Sequence, residues 1–119
     1  MSADVLNPVA VEQKILELSN RIARSAGICN DRYVAKNDAE EAYTRAYAHA
    51  YLEHQGPQQE KRYAADLACT EQKHELNVAD AAYRYADRLA KALESELMAY
   101  QSVARSVGRM FSAAGTGER

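Results

Sequence analysis

The sequence predicts an all-α fold, a long antiparallel helical hairpin with coiled-coil-like packing and a shorter N-terminal helix. Three observations support it: an apolar heptad seam in the C-terminal half, few glycines and prolines within 119 residues, and no alternation of apolar and polar residues typical of strands. We therefore expect one helical domain over residues 1–111, followed by a flexible tail of small and polar residues over 112–119.

The first helix is predicted from a start signal and an apolar stripe. Asn7 precedes Pro8, the arrangement of an N-cap followed by proline at the first helical position. Apolar residues then recur at steps of four, three and four: Val11, Ile15, Leu18 and Ile22. Gly27 is suited to end a helix in a left-handed conformation, so we expect this helix to cover residues 8–26.

A second helix is predicted to begin at a cap formed by Asn30 and Asp31 and to run to Gln55, where Gly56-Pro57 ends it. Alanines along it alternate with three tyrosines, one helical turn apart: Tyr43, Tyr47 and Tyr51. Two interpretations stay open, a packed core in which rings cover a close helix–helix joint, and an aromatic contact surface. The core is preferred, because alanine alone would hardly stabilise this helix.

The last segment, residues 58–111, is either one very long helix or two helices broken near Cys69-Thr70. Its heptad seam advances by three and four residues through Leu76, Ala79, Tyr83, Ala86, Ala90, Leu93, Leu97, Tyr100, Ala104, Val107 and Phe111. Alanine-rich seams favour close antiparallel packing. From Thr70 to Phe111 the helix would extend roughly 60 Å, against about 36 Å for the second helix. Because that partner is too short, we expect self-association through the seam, chiefly through Leu76, Tyr83, Leu93, Leu97, Tyr100, Val107 and Phe111.

Composition and spacing argue against catalysis. Cys29 and Cys69 lack the spacing of metal ligands, and the one Glu-x-x-His, from Glu71 to His74, lacks the second copy that di-iron bundles use. No phosphate-binding loop or catalytic triad is present. We therefore predict no enzymatic activity, no metal and no cofactor. The N-terminus lacks a secretory signal and no apolar run reaches membrane length, so we expect a cytoplasmic protein with no membrane partner.

Two features suggest partner binding. The first is the row of Tyr43, Tyr47 and Tyr51. The second is the pair Arg105 and Arg109, one turn apart near the predicted end of the last helix. The first explanation for these cations is that they favour the helix macrodipole. The second explanation is that they form a small contact point for phosphate. With a formal net charge of −2, any binding of nucleic acid should be weak.

Several segments carry a family resemblance: residues 46–52, then Gly56, then residues 82–86, 93–97 and 100–103. These segments resemble small helical proteins encoded by tailed phages and prophages of actinobacteria, whose genes often lie among early replication and recombination functions. The likeness covers about the C-terminal two thirds of the chain. It implies a viral protein acting in a bacterial cytoplasm and transfers no catalytic residue.

The leading functional hypothesis is a non-enzymatic, phage-type interaction module. It would bind and modulate a host or phage protein, as adaptor or inhibitor, for example of a nuclease or a defence complex. The alternative is an accessory factor that binds single-stranded DNA during phage recombination through tyrosine rings and Arg105 and Arg109. A second alternative is a purely structural, scaffold-like oligomer.

Overall fold

The computed structural model describes the backbone of residues 7–117 and the side chains of residues 7–113. Three helices occupy this part of the chain: α1 (Pro8–Glu53), α2 (Gln58–Ala68) and α3 (Thr70–Gly117). No strand occurs among the described residues. The all-α prediction is therefore confirmed.

The predicted start of α1 is confirmed in its hydrogen bonds. The Asn7 Oδ1 atom accepts hydrogen bonds from the backbone N–H groups of Val9 at 2.9 Å and of Ala10 at 3.4 Å. These two donors would otherwise lack a partner at the helix start, because the first turn has no preceding carbonyls.

The predicted helix boundary at Gly27 is wrong. The helix continues through Gly27, and through Asn30 and Asp31, so that α1 extends over 46 residues without a separate N-terminal helix. Among the described residues Gly56 is the one glycine with a positive φ, so Gly27 does not adopt the left-handed conformation that ends a helix. Glycine inside a helix costs only about 1 kcal/mol relative to alanine, so a single glycine does not end a long helix.

The other two boundaries lie close to their predicted places. Gly56 has a φ of 145° in the turn after α1, and a Cβ atom there would lie 2.5 Å from Glu60 Oε2. This turn therefore requires glycine. The second boundary is at Cys69, where the Thr70 hydroxyl donates to the backbone oxygens of Leu67 at 3.0 Å and of Asp66 at 3.4 Å. Hydrogen bonds of this kind bend helices, and these two lie at the break between α2 and α3. Of the two predicted alternatives, the structure therefore has two helices broken near Cys69-Thr70.

The helix α3 ends later than predicted. It continues past Phe111 to Gly117, because adding residues to a helix that is already formed avoids the cost of nucleation. The flexibility expected for residues 112–119 stays a prediction, and residues 118 and 119 lie outside the described residues.

The contacts divide the chain into two compact units, although a single domain over residues 1–111 stays a prediction. Within the described residues, unit 1 comprises 7–27 and 88–117, and unit 2 comprises 28–87. The interior of unit 1 is aliphatic. Its buried side chains are Val11 and Leu18 from α1 with Leu93 and Val107 from α3.

In unit 2, α1 and α3 form the predicted antiparallel hairpin. Each step forward along α1 is matched by a step backward along α3, as three contacts show: Tyr33 with Tyr83, Lys36 with Asp80, and Tyr43 with Lys73. The buried residues of this unit are small, namely Ala65, Cys69 and Ala86. Small side chains let helix backbones approach closely, so larger side chains lie at the edges of the contact.

Candidate interaction surface

The tyrosine row of α1 lies along one side of unit 2. The ring centroids of Tyr43 and Tyr47 are 6.1 Å apart with planes tilted by 49°, and those of Tyr47 and Tyr51 are 6.3 Å apart with planes at 26°. All three side chains are half-buried. Each ring therefore packs within the chain and still meets solvent, and the role of the row as a contact surface stays a prediction.

Lysines from the neighbouring helices cover the outer two rings. The Lys73 Nζ atom lies 5.1 Å from the centroid of Tyr43, and the Lys61 Nζ atom lies 5.6 Å from that of Tyr51. An ammonium group over a tyrosine face contributes about 0.5–1 kcal/mol at exposed sites. Among the described residues no lysine or arginine makes the same contact with Tyr47.

An open cleft beside the middle ring is lined by Tyr43, Thr44, Tyr47 and Asp66, with a volume of about 300 Å³. Loss of hydration raises the pKa of Tyr47 above its ordinary value of 10.0, and the negative charge of Asp66 raises it further. The positive charge of Arg62 acts in the opposite direction. Tyr47 is thus a neutral hydroxyl beside a carboxylate across the physiological pH range.

The exposed side of α2 carries a second cluster, which the sequence analysis missed. We name it the α2 face and define it by Arg62, Tyr63, Asp66 and Leu67. Tyr63 is 60% exposed and Leu67 is 79% exposed, and these residues lie four apart on one side of the helix. The Gln59 side-chain amide donates to the Tyr63 hydroxyl at 3.1 Å, which restricts the ring. The signal was present as a four-residue spacing, but it stands out only once Ala65 and Cys69 are known to be buried.

Lys36 and Asp80 join α1 to α3 at the other end of unit 2. The Lys36 Nζ atom is 3.7 Å from Asp80 Oδ1, and the Arg84 Nε atom is 3.0 Å from Asp80 Oδ2. Lys36 also lies over the Tyr83 ring, 5.6 Å from its centroid. These contacts fix the register of the hairpin, and they place the seam residue Tyr83 between the helices.

The predicted seam is largely covered within the chain itself. Leu93 and Val107 are buried, Leu76, Tyr83, Leu97 and Tyr100 are half-buried, and Phe111 is exposed. The expected difference in length between α3 and its partner helix is wrong, because α1 has 46 residues and α3 has 48. Self-association through the seam stays a prediction without that support.

Arg105 and Arg109 are both exposed and belong to unit 1. Arg105 Nη2 donates to the Ser102 hydroxyl oxygen at 3.2 Å. Because α3 continues to Gly117, neither arginine lies in the last turn, and the macrodipole explanation for them is wrong. The tyrosine row belongs to unit 2, so the candidate residues divide between the units.

Cys29 is a half-buried free thiol and Cys69 a buried one. Within residues 7–113, no three histidine, cysteine or acidic side chains come together as a metal site would need. None of the three helices, over its described length, is long and apolar enough to cross a bilayer. Comparison with protein-family models, curated proteins and solved structures gives no match, so functional inference rests on the chain's own residues.

Proposed function

We propose that this protein is a non-enzymatic interaction module that binds another protein through the α2 face and modulates it. The observation that carries the proposal is the exposed pair Tyr63 and Leu67, which lies side by side on α2. Arg62 and Asp66 flank the pair with opposite charges, which gives the face both an apolar centre and charged neighbours.

A partner would gain binding free energy by covering the exposed side chains of the α2 face. Burying a leucine-sized side chain contributes roughly 1.5–3 kcal/mol, and Leu67 has most of its surface still to bury. Tyrosine and arginine are the residue types that dominate binding energy at interfaces, and the α2 face has one of each. A restrained Tyr63 ring also loses less conformational entropy on binding than a free one.

The resemblance to actinobacterial phage proteins supplies the proposed setting. The partner would be a host or phage protein in a bacterial cytoplasm, and a nuclease or defence complex is a concrete example. The covered faces of Tyr43 and Tyr51 favour this over binding of single-stranded DNA, which needs open rings for stacking.

The test is quantitative capture from an actinobacterial lysate, followed by binding measurements with the purified partner. We expect saturable capture of the same protein by the wild type and by Leu52→Ser, a matched control that removes another leucine, 75% exposed on α1. The double variant Tyr63→Ser/Leu67→Ser should bind at least about tenfold more weakly, equivalent to about 1.4 kcal/mol. Equal capture by all three proteins would show that the α2 face is not the interface.

A structural oligomer is the second candidate. Val9 and Leu16 in unit 1 favour it, since both are exposed and lie seven residues apart on one side of α1. If the wild type sediments as a monomer at tens of micromolar, an oligomer with an association free energy of about 8 kcal/mol or more is excluded.

A further inference from the structure

The three tyrosines of the row differ in what lies over them. Tyr43 and Tyr51 each receive a lysine ammonium group of this chain, and Tyr83 receives a third from Lys36. Tyr47, in the middle of the row, receives none among the described residues. It borders the cleft lined by Tyr43, Thr44 and Asp66 instead.

We propose that this cleft binds the ammonium group of a lysine side chain on the partner protein, with Tyr47 providing the ring face and Asp66 the counter-charge. The inference rests on the proposed function, since it names the chemistry that the partner presents next to the α2 face. Asp66 belongs to both, because it lines the cleft and lies between Tyr63 and Leu67 on α2.

The charge of Asp66, which lines the cleft, favours a cation as its ligand. The carboxylate of Asp66 makes no ion pair within 4 Å with any of the described residues, so its charge is available to a ligand. An anion would meet the same carboxylate and the negative face of the Tyr47 ring. A cation gains from both groups, because the quadrupole of an aromatic ring attracts positive charge to its face.

The chain's own contacts indicate which cation. In each of the three ring–cation pairs among residues 7–113 the cation is a lysine, with the nitrogen 5.1–5.6 Å from the centroid. A bound lysine would therefore repeat an arrangement that this row already makes twice. The cleft is open to solvent, so a side chain can enter it while the rest of the partner contacts Tyr63 and Leu67.

The experiment is a titration followed by nuclear magnetic resonance, with N-acetyl-lysine methylamide as the probe. The matched ligand controls are N-acetyl-norleucine methylamide, which lacks the charge, and N-acetyl-arginine methylamide, which replaces the ammonium by guanidinium. We expect weak, saturable binding of the lysine probe, with shifts at the rings of Tyr43 and Tyr47 and at the amide of Thr44. Norleucine should give no saturable shift, and arginine should bind more weakly than lysine.

Variants locate the site. Asp66→Asn and Tyr47→Leu should each weaken binding of the lysine probe by about three- to tenfold, whereas Asp38→Asn, an exposed carboxylate on α1, should leave it unchanged. Lys73→Met removes the ammonium group from Tyr43 and should strengthen binding by about two- to fivefold, because a second ring face becomes open. If circular dichroism shows that Tyr47→Leu has lost helix, the binding measured with Asp66→Asn decides whether the cleft is the site.

Equal binding of norleucine or tighter binding of arginine would overturn the assignment to an ammonium group, and so would an Asp66→Asn variant that binds the lysine probe like the wild type. The titration contains no partner, so its failure leaves the interaction module standing. Conversely, a captured partner whose affinity is the same for wild type and Asp66→Asn would overturn this inference alone.

Discussion

Unit 1 and unit 2 draw on the same two long helices, yet their interiors differ. Over its described side chains, unit 1 buries four aliphatic residues, Val11, Leu18, Leu93 and Val107. Unit 2 buries only alanine and cysteine, and its larger contacts are tyrosine rings paired with lysines at its edges. Each buried aliphatic side chain contributes roughly 1.5–3 kcal/mol, against about 0.5–1 kcal/mol for an exposed ring–cation pair.

This difference suggests that unit 1 chiefly stabilises the chain and that unit 2 chiefly presents side chains to a partner. Unit 1 therefore has the more apolar interior of the two. Unit 2 keeps aromatic rings, lysines and the exposed Leu67 at its surface, where a partner can reach them. Binding surfaces are commonly drawn from the less stable parts of a protein.

The largest expected effect comes from removing an aliphatic side chain from unit 1. Leu18→Ala leaves a cavity at a fully buried site and should lower the free energy of unfolding by about 2–5 kcal/mol. Urea unfolding followed by circular dichroism measures it. The control is Leu16→Ala, because Leu16 is 63% exposed two residues earlier and its loss should cost under about 0.5 kcal/mol. Similar losses in both variants would contradict the aliphatic interior assigned to unit 1.

An intermediate effect should follow from enlarging a small residue in unit 2. Ala65 is fully buried where α2 packs, so Ala65→Leu should destabilise the protein by about 1–3 kcal/mol through overpacking. The same change at the exposed Ala68, three residues on, serves as control and should be nearly neutral. A more stable Ala65→Leu protein would mean that unit 2 has room for an aliphatic interior. The interiors of the two units would then differ less than proposed.

The smallest effect concerns the ionisation of Tyr47. Its pKa is raised in the folded chain, so its contribution to stability is complete below pH 10 and is lost as the pH rises through the folded value. Alkaline titration by ultraviolet absorbance should show a tyrosine that ionises late and is absent in Tyr47→Phe. Asp66→Asn should lower this pKa by removing the neighbouring charge. An unchanged titration in Asp66→Asn would show that the carboxylate does not act on Tyr47.

The sequence predicted the local features of the fold well. The Asn7 cap and the turn at Gly56-Pro57 are determined by neighbouring residues. So is the break near Cys69-Thr70, which the sequence left as one of two alternatives. Gly27 shows the limit of that reasoning, because a glycine permits the left-handed conformation without requiring it. The last residue of unit 1 on α1 is nevertheless Gly27, so the signal marked a boundary between units rather than the end of a helix.

The candidate site was only partly predictable. The tyrosine row follows directly from the spacing of residues 43, 47 and 51. Its lysine partners do not, because Lys61 and Lys73 reach the rings only in the register that α2 and α3 adopt against α1. The α2 face depends likewise on which side of a short helix is buried.

The division into units also has a consequence for the order in which the chain folds. Unit 2 is one uninterrupted stretch, 28–87, whereas the two segments of unit 1 are separated by that whole stretch. Contacts between residues near in sequence close shorter loops at a smaller entropy cost, so we expect the hairpin of unit 2 to form first. Stopped-flow kinetics of the variants above would then show Ala65→Leu slowing folding and Leu18→Ala chiefly accelerating unfolding. If the two variants changed the folding rate and the unfolding rate in the same way, the two units would form together. In the expected order, the unit with the small buried residues nucleates the chain, and the aliphatic unit keeps it from unfolding.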